Sequence, residues 1–133
     1  MEELTVQSVS PAHEDARGAI YNIIDDTELR SVLYVESDAG TARGNHYHKS
    51  QTQYPYVLQG GFAVYYQDLR CDESAPIKTT QMKVGDVMKI PPRVAHAFEI
   101  EQPTEFIEIA DKAQGVDGEF YDEDTVDVDG LTD

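Results

Sequence analysis

The amino-acid sequence predicts an all-β fold, either a sandwich or a barrel. Short runs rich in Val, Ile, Tyr, Phe and Thr recur along the chain, with turn signals at intervals of about 8–12 residues. No long stretch shows the helical period of apolar side chains. Many short strands with regular turns and little helix are typical of all-β sandwiches and barrels.

Residues that favour turns bound the predicted strands. Gly60-Gly61 and Gly85-Asp86 are interpreted as hairpin turns. Residues 11–18 are predicted as a loop, because Pro11 opens this charged segment and Gly18 closes it. The predicted strands are residues 4–8, 19–24, 31–35, 41–48, 54–58, 62–69, 77–83, 87–90, 95–101 and 104–110.

Alternation within three of these strands indicates which side chains form the core. Successive side chains of a strand point to opposite faces, so residues two apart share a face. The predicted core therefore contains Phe62, Val64, Phe98, Ile100 and Phe106.

The chain of 133 residues is expected to form one domain followed by a tail. Residues 1–115 are assigned to the barrel. Residues 116–133 carry eight acidic residues and no basic residue. This acidic tail is expected either to be disordered or to pack as a late strand or small helix at the rim of the barrel.

The composition excludes some partners. A formal net charge of −16 argues against nucleic acid and anionic membranes, because the chain has no basic patch to release counterions. No apolar run approaches the roughly 18 residues that a membrane helix needs. The start of the chain does not resemble a secretory signal, and Cys71 is the single cysteine, so a cytoplasmic location is expected.

The segment from Thr41 to Gly61 holds the most informative pattern. His46 and His48 are two residues apart, so on a strand both imidazoles point to one face. Two imidazoles directed at the same interior require a chemical reason, such as metal binding or proton transfer.

The spacing of these histidines resembles the two sequence motifs of the cupin family. His46-Tyr47-His48 is followed by four residues and Gln53, and then by six residues and Gly60. Gly85 is followed by five residues, then Pro91-Pro92-Arg93, two further residues and His96. Gln53 stands where cupins usually have Glu, and Arg93 stands where they usually have Gly. The resemblance implies a double-stranded β-helix, the cupin jelly-roll barrel.

The cupin resemblance also implies a candidate metal site. His46, His48, Gln53 and His96 match the ligand positions of the two motifs, and such a set suits Zn, Fe, Ni or Mn. Gln53 weakens this interpretation, because a carboxylate would offset the charge of the ion. The alternative is a site whose histidines are only hydrogen-bonded.

A narrower resemblance points to cupins that act on nucleotide sugars. Residues 15–18, Asp-Ala-Arg-Gly, look like the Asp-x-Arg-Gly of dTDP-4-keto-6-deoxyglucose 3,5-epimerases and 3,4-ketoisomerases. Residues 43–49, Arg-Gly-Asn-His-Tyr-His-Lys, are similar to the C-terminal cupin of capsular polysaccharide epimerase-reductases. The amide at Gln53 agrees instead with the ketoisomerases. This resemblance implies an isomerase or epimerase of a 4-keto-6-deoxy nucleotide sugar in surface polysaccharide synthesis, which needs no cofactor and forms a homodimer.

The same resemblance assigns roles to individual residues. His46 matches the catalytic base of the epimerases, and His48 matches the second histidine of the ketoisomerases. Arg17 matches a phosphate-contacting arginine. Arg43 lies just before the histidines and is a further candidate, since guanidinium groups bind phosphate in a fork. Lys49 and Arg93 are secondary candidates for the substrate site, and the acid is expected among Tyr34, Tyr54, Tyr56, Tyr65 and Tyr66.

Two other functions are also compatible with the sequence. One is a metal-dependent cupin of different chemistry, such as a dioxygenase or a small-acid decarboxylase. The other is a non-catalytic module that binds a small ligand, which would explain the loss of Glu from the first motif.

Overall fold

A computed structural model describes residues 2–70, 74–113 and 124–132. Cys71 and residues 116–123 and 133 of the predicted tail lie outside these described residues. The described residues form twelve strands and no helix, which confirms the all-β prediction, and none of their segments is a helix able to span a membrane. The strands are β1 Thr5–Ser8, β2 Pro11–Asp15, β3 Gly18–Tyr21, β4 Ser31–Ser37, β5 Thr41–His48, β6 Gln53–Gln59, β7 Gly61–Asp68, β8 Lys78–Lys83, β9 Asp86–Lys89, β10 Val94–Ile100, β11 Thr104–Ala110 and β12 Thr125–Asp127.

Two antiparallel sheets of five strands enclose the core. Sheet one has the order β1-β9-β6-β11-β4, and sheet two has the order β12-β5-β10-β7-β8. Sequence neighbours are often in different sheets: β10 is in sheet two and β11 is in sheet one. This alternation between facing sheets is that of a jelly roll, as predicted.

Aromatic side chains join the two sheets at one end of the interior. Phe62 and Phe98 from sheet two stack with ring centroids 4.5 Å apart. Phe106 from sheet one lies 5.4 Å from Phe62 and 6.1 Å from Phe98. All three rings are buried, as their positions in the sequence predict.

The segment predicted as a loop at residues 11–18 is instead mostly a β-hairpin. Strands β2 and β3 pair with each other and with neither barrel sheet. Pro11 is compatible with this arrangement because it occupies the first position of a strand, where its missing N–H is tolerated. Strand β3 also ends at Tyr21 rather than at residue 24.

A β-bulge interrupts the pairing of β5 with β10. His46 is opposite His96, whereas Gly44 is already opposite Ala97, so Asn45 is the extra residue. Gly44 has φ +98° and Asn45 has φ +58°. A Cβ atom on Gly44 would lie 2.6 Å from the carbonyl oxygen of His96, so the two backbones approach closely only because residue 44 is glycine.

We expect the substitution Gly44→Ala to destabilise the fold more than Gly40→Ala. Both residues have positive φ, but no atom lies within 4 Å of a Cβ at Gly40. Gly40→Ala should cost about 1 kcal/mol from backbone strain alone, and Gly44→Ala about 3 kcal/mol or more, because the clash with β10 adds to the strain. Chemical denaturation of both variants measures the difference. Equal losses would contradict a close approach of β5 and β10 at this position.

Candidate functional site

Three histidines from two adjacent strands of sheet two form a cluster that faces sheet one. His46 and His48 come from β5, and His96 comes from β10. The ring centroid of His46 lies 4.8 Å from the ring centroid of His48 and 4.8 Å from that of His96. The ring centroids of His48 and His96 are 5.6 Å apart. The structure therefore brings together the two histidines of the first motif and the histidine of the second.

His96 is held in the neutral form with a defined tautomer. Burial, together with the nearby His46 and His48, lowers the pKa of His96 to about 3. Its Nδ1 lies 3.1 Å from the carbonyl oxygen of Val94, and a carbonyl can only accept, so Nδ1–H donates. The Nε2 of His96 then carries a lone pair, and His96 can orient a neighbouring imidazole as a hydrogen-bond acceptor.

The donor atoms of this cluster suit a divalent metal, although their spacing is wide. One nitrogen from each imidazole lies within 4.8 Å of the others. A tetrahedral zinc ion with bonds of about 2.1 Å would place its ligand atoms about 3.4 Å apart. The amide oxygen of Gln53 is buried and has no hydrogen-bond partner among the described residues. His46, His48, His96 and Gln53 would thus hold an ion only after their side chains move closer together.

The histidine cluster opens into a cavity of about 750 Å³ between the two sheets. This volume lies within the usual range for small-molecule sites. The cavity is lined by Leu33, Tyr34, Val35, Glu36, Ala42, Arg43, Gly44, His46, His48, Gln53, His96, Phe98, Phe106, Glu108 and Thr125. The lining combines the apolar rings of Phe98 and Phe106 with the imidazoles and the guanidinium of Arg43, so it offers a ligand both apolar and polar contacts.

Arg43 is the one predicted phosphate-binding residue that lines the cavity. Its Nε donates to Ser37 Oγ at 2.6 Å, and its Nη2 donates to the Glu36 carbonyl at 2.9 Å. These bonds connect β5 of sheet two to β4 of sheet one. They fix the guanidinium at the side of the cavity, where a planar cation is suited to binding a phosphate.

The other three predicted substrate-binding residues lie outside the lining. Arg17 is at the tip of the β2–β3 hairpin, where its side chain is 87% exposed and forms an ion pair with Asp15 at 2.6 Å. That pair lowers the pKa of Asp15 to about 2. Lys49 and Arg93 are exposed. Arg93 has φ +65°, a conformation that glycine adopts readily, and glycine is the residue that the second cupin motif usually has there.

Glu108 lines the cavity, although the sequence motifs do not assign it to the site. Burial raises the pKa of its carboxyl to about 7, and the opposing effect of Arg43 is smaller. Strand alternation contained the signal, because Glu108 is two residues after the core residue Phe106 and so shares its face.

The five tyrosines among which the catalytic acid was expected do not lie at the cavity position that Glu108 occupies. Tyr34 is the only one of the five among the lining residues, and its hydroxyl donates to Glu105.

The C-terminal segment forms part of the site. Strand β12 pairs with β5 along the residues that carry the histidines. The hydroxyl of Thr125 lies 3.1 Å from His48 Nδ1, and the carboxylate of Asp124 accepts hydrogen bonds from the backbone amides of Ser50 and Gln51, each at 3.0 Å. The described part of the predicted tail thus contains a strand at the edge of sheet two, and Thr125 of this strand contacts His48.

We expect Thr125→Val to alter His48 selectively. Valine keeps the shape but removes the hydroxyl, so the unfolding free energy should fall by about 1 kcal/mol and the ring nitrogen signals of His48 should shift in NMR spectra. Thr79→Val, at an exposed position of β8, is the control. Unchanged His48 signals in Thr125→Val would contradict the contact.

The comparisons with known proteins agree with this architecture. The structure superimposes on a dTDP-4-dehydrorhamnose 3,5-epimerase from Elizabethkingia anophelis with a TM-score of 0.73 and 17% identity, over 86% of this chain and 72% of that one. It superimposes on a 3,4-ketoisomerase from Helicobacter canadensis with a TM-score of 0.72 and 15% identity, over 95% and 91% of the two chains. An RmlC epimerase from Mycobacterium tuberculosis gives a TM-score of 0.70 and 18% identity over 84% of this chain, which spans only 64% of that epimerase. At these identities the likeness shows the fold, and it confirms the predicted cupin jelly roll.

The sequence comparison adds the family. No curated protein sequence matches the chain. Residues 13–123, however, match the family described as the polysaccharide biosynthesis C-terminal domain. Because this match covers most of the chain, the protein belongs to the polysaccharide biosynthesis C-terminal domain family.

Proposed function

We propose that the protein is a cytoplasmic isomerase or epimerase of a 4-keto-6-deoxy nucleotide sugar, in surface polysaccharide biosynthesis. The observation that carries this proposal is the cluster of His46, His48 and His96, which opens into a cavity of about 750 Å³ beside Arg43. The family match to polysaccharide biosynthesis and the fold shared with nucleotide-sugar epimerases and ketoisomerases support it.

The chemistry begins with removal of a proton from a carbon beside the ketone. His46 is the base, because a histidine is neutral over much of the physiological range and accepts a proton readily. His96 is neutral and accepts through Nε2, so it can hold an N–H of His46 and direct the other imidazole nitrogen at the substrate. The product of this step is an enolate, whose oxygen needs a hydrogen-bond donor.

Arg43 supplies positive charge for the diphosphate of the substrate. A protein of net charge −16 repels an anionic ligand, so a fixed cation at the cavity has a large effect on binding. Ser37 and Glu36 each take one of the five donors of the guanidinium and thereby hold its plane in place. Arg17, Lys49 and Arg93 lie outside the cavity lining, and in this proposal they have no part within a single chain.

The second candidate is a metal-dependent cupin of other chemistry. The buried amide oxygen of Gln53 favours this candidate. The described residues donate no hydrogen bond to this atom, and a bound ion would give it a partner. His46, His48, His96 and Gln53 would hold the ion, and it would act there as a Lewis acid. Coordination would occupy the lone pair that His46 needs as a base, so the two candidates predict different effects of metal removal.

We expect the protein to catalyse hydrogen exchange beside the ketone without a metal. In deuterated water, NMR should show incorporation of deuterium next to C4 of dTDP-4-keto-6-deoxyglucose or its UDP counterpart. His46→Asn should lower the rate at least about 100-fold, because it removes the base. Prolonged treatment with a chelator should leave the rate unchanged. His13→Asn, on the exposed hairpin, is the matched control.

Three outcomes would contradict this function. Loss of all exchange on chelation would favour the metal-dependent candidate. Tight binding of the nucleotide sugar without exchange would favour a non-catalytic binding module. Exchange in His46→Asn at the wild-type rate would remove His46 from its role.

A homodimer is part of the same proposal. The β2–β3 hairpin is paired with neither barrel sheet and exposes Ile20 and Tyr21, which are 62% and 49% accessible. Edge strand β4 exposes Val32 and Tyr34, which are 65% and 55% accessible. A second copy of the chain would remove these apolar side chains and the free edge of β4 from water.

The dimer is tested by molar mass in solution. Light scattering should give twice the chain mass for the wild type and a shift towards the monomer for the double substitution Ile20→Lys and Val32→Lys. Val84→Lys, at a turn valine that is 58% accessible, is the control and should remain dimeric. A monomeric wild type at micromolar concentration would contradict the proposal.

A further inference from the structure

Glu108 lies on the wall of the cavity that faces the histidines. It belongs to β11 in sheet one, whereas His46, His48 and His96 belong to β5 and β10 in sheet two. Both groups line the same cavity. A ligand between the two sheets would therefore have the imidazoles on one side and the carboxyl of Glu108 on the other.

The contact between two aromatic side chains shows which residues of sheet two lie across the cavity from Glu108. Phe98 of β10 and Phe106 of β11 meet across the core, with centroids 6.1 Å apart. A short turn joins these successive strands, so they run in opposite directions. His96 precedes Phe98 by two residues, and Glu108 follows Phe106 by two residues. Because the strands are antiparallel, His96 and Glu108 lie on the same side of the aromatic contact. Glu108 is thus across the cavity from His96 and from His46, the residue that pairs with His96 in sheet two.

The surroundings suit a carboxyl that exchanges a proton near neutral pH. Neighbouring strands place Leu33 and Pro55 beside Glu108 in the sheet, and neither side chain can bond to a carboxylate. Burial raises the pKa to about 7, so both protonation states are populated. Among the described residues, the charged or titratable groups that line the cavity with it are Arg43, His46, His48, His96, Tyr34 and the exposed Glu36.

We propose that Glu108 is the second proton-transfer residue of the site and protonates the substrate carbon on the face opposite His46. This inference rests on the proposed function and narrows it to epimerisation. Epimerisation inverts a carbon and uses two proton-transfer groups, one on each face of the sugar. Isomerisation of a ketone to the neighbouring carbon on one face needs only one such group.

The proposed reaction has two proton transfers. Neutral His46 removes the proton from the carbon beside the ketone, and the electron pair of the C–H bond forms the enolate. The protonated carboxyl of Glu108 then gives its proton to the other face of the same carbon, and the ketone is restored with inverted configuration. The imidazolium and the carboxylate that remain return to their starting states by losing and gaining a proton through solvent.

The decisive experiment compares exchange with inversion in Glu108→Gln. Glutamine is of equal size but cannot protonate carbon, so inversion should fall at least about 100-fold. Deuterium should still enter from solvent at close to the wild-type rate, with retention of configuration, because His46 removes and returns hydrogen on its own face. Glu101→Gln, at the exposed turn between β10 and β11, is the control and should leave both rates unchanged.

A second variant keeps the test valid if Glu108→Gln folds poorly. Glu108→Asp retains a carboxyl on a shorter side chain and should restore inversion above the level of Glu108→Gln. Three results would each overturn the inference. Glu108→Gln could invert the substrate at the wild-type rate, it could lose exchange and inversion in parallel, or Glu108→Asp could invert no faster than Glu108→Gln. A wild type that exchanges without inverting would also overturn it, whereas a wild type that does neither would refute the proposed function itself, and the inference with it.

Discussion

The bulge at Asn45 is the constraint on which the site depends. In a regular strand, residues 43 and 46 point to opposite faces, because side chains alternate. The extra residue between Gly44 and His46 removes this conflict, so that Arg43, opposite Phe98, and His46, opposite His96, both face the interior. Arg43 and the proposed base His46 thereby share one wall of the cavity. The bulge is possible because Gly44 has no side chain to meet the carbonyl of His96 and Asn45 tolerates the left-handed region.

The two sheets contribute different parts of the proposed site. Sheet two supplies the imidazoles and Arg43, and its edge is closed by β12, whose Thr125 contacts His48. Sheet one supplies Glu108 and Gln53, and it holds Arg43 through Ser37 and Glu36. The groups that react in the proposed mechanism thus lie on different sheets, with a cavity between them. Such an arrangement fixes both faces of a bound sugar, which is what stereochemical control requires.

The sequence was sufficient for the fold and for the histidine cluster, because motif spacing and strand alternation are local signals. Phe62, Phe98 and Phe106 are buried as predicted, and His46, His48 and His96 come together. Glu108 carried a local signal too, but an acidic residue in an alternating strand is more readily assigned to the solvent face. The position of β12 had no such signal, since pairing of Thr125 with His48 joins residues far apart in the chain. The β2–β3 hairpin was missed because Pro11 and the charged residues that follow it resemble a loop.

The central claim is that a nucleotide sugar lies between the histidines and Glu108, with Arg43 at its diphosphate. The most direct measurement is a titration of the protein with dTDP-D-xylose, the ligand of a Streptococcus suis RmlC of the same fold, followed through the ring signals of the four histidines by NMR. The account predicts shifts for His46, His48 and His96 but none for His13, and weaker binding by Arg43→Ala with the same pattern of shifts. Binding that leaves the three cavity histidines unperturbed, or that does not weaken in Arg43→Ala, would contradict it.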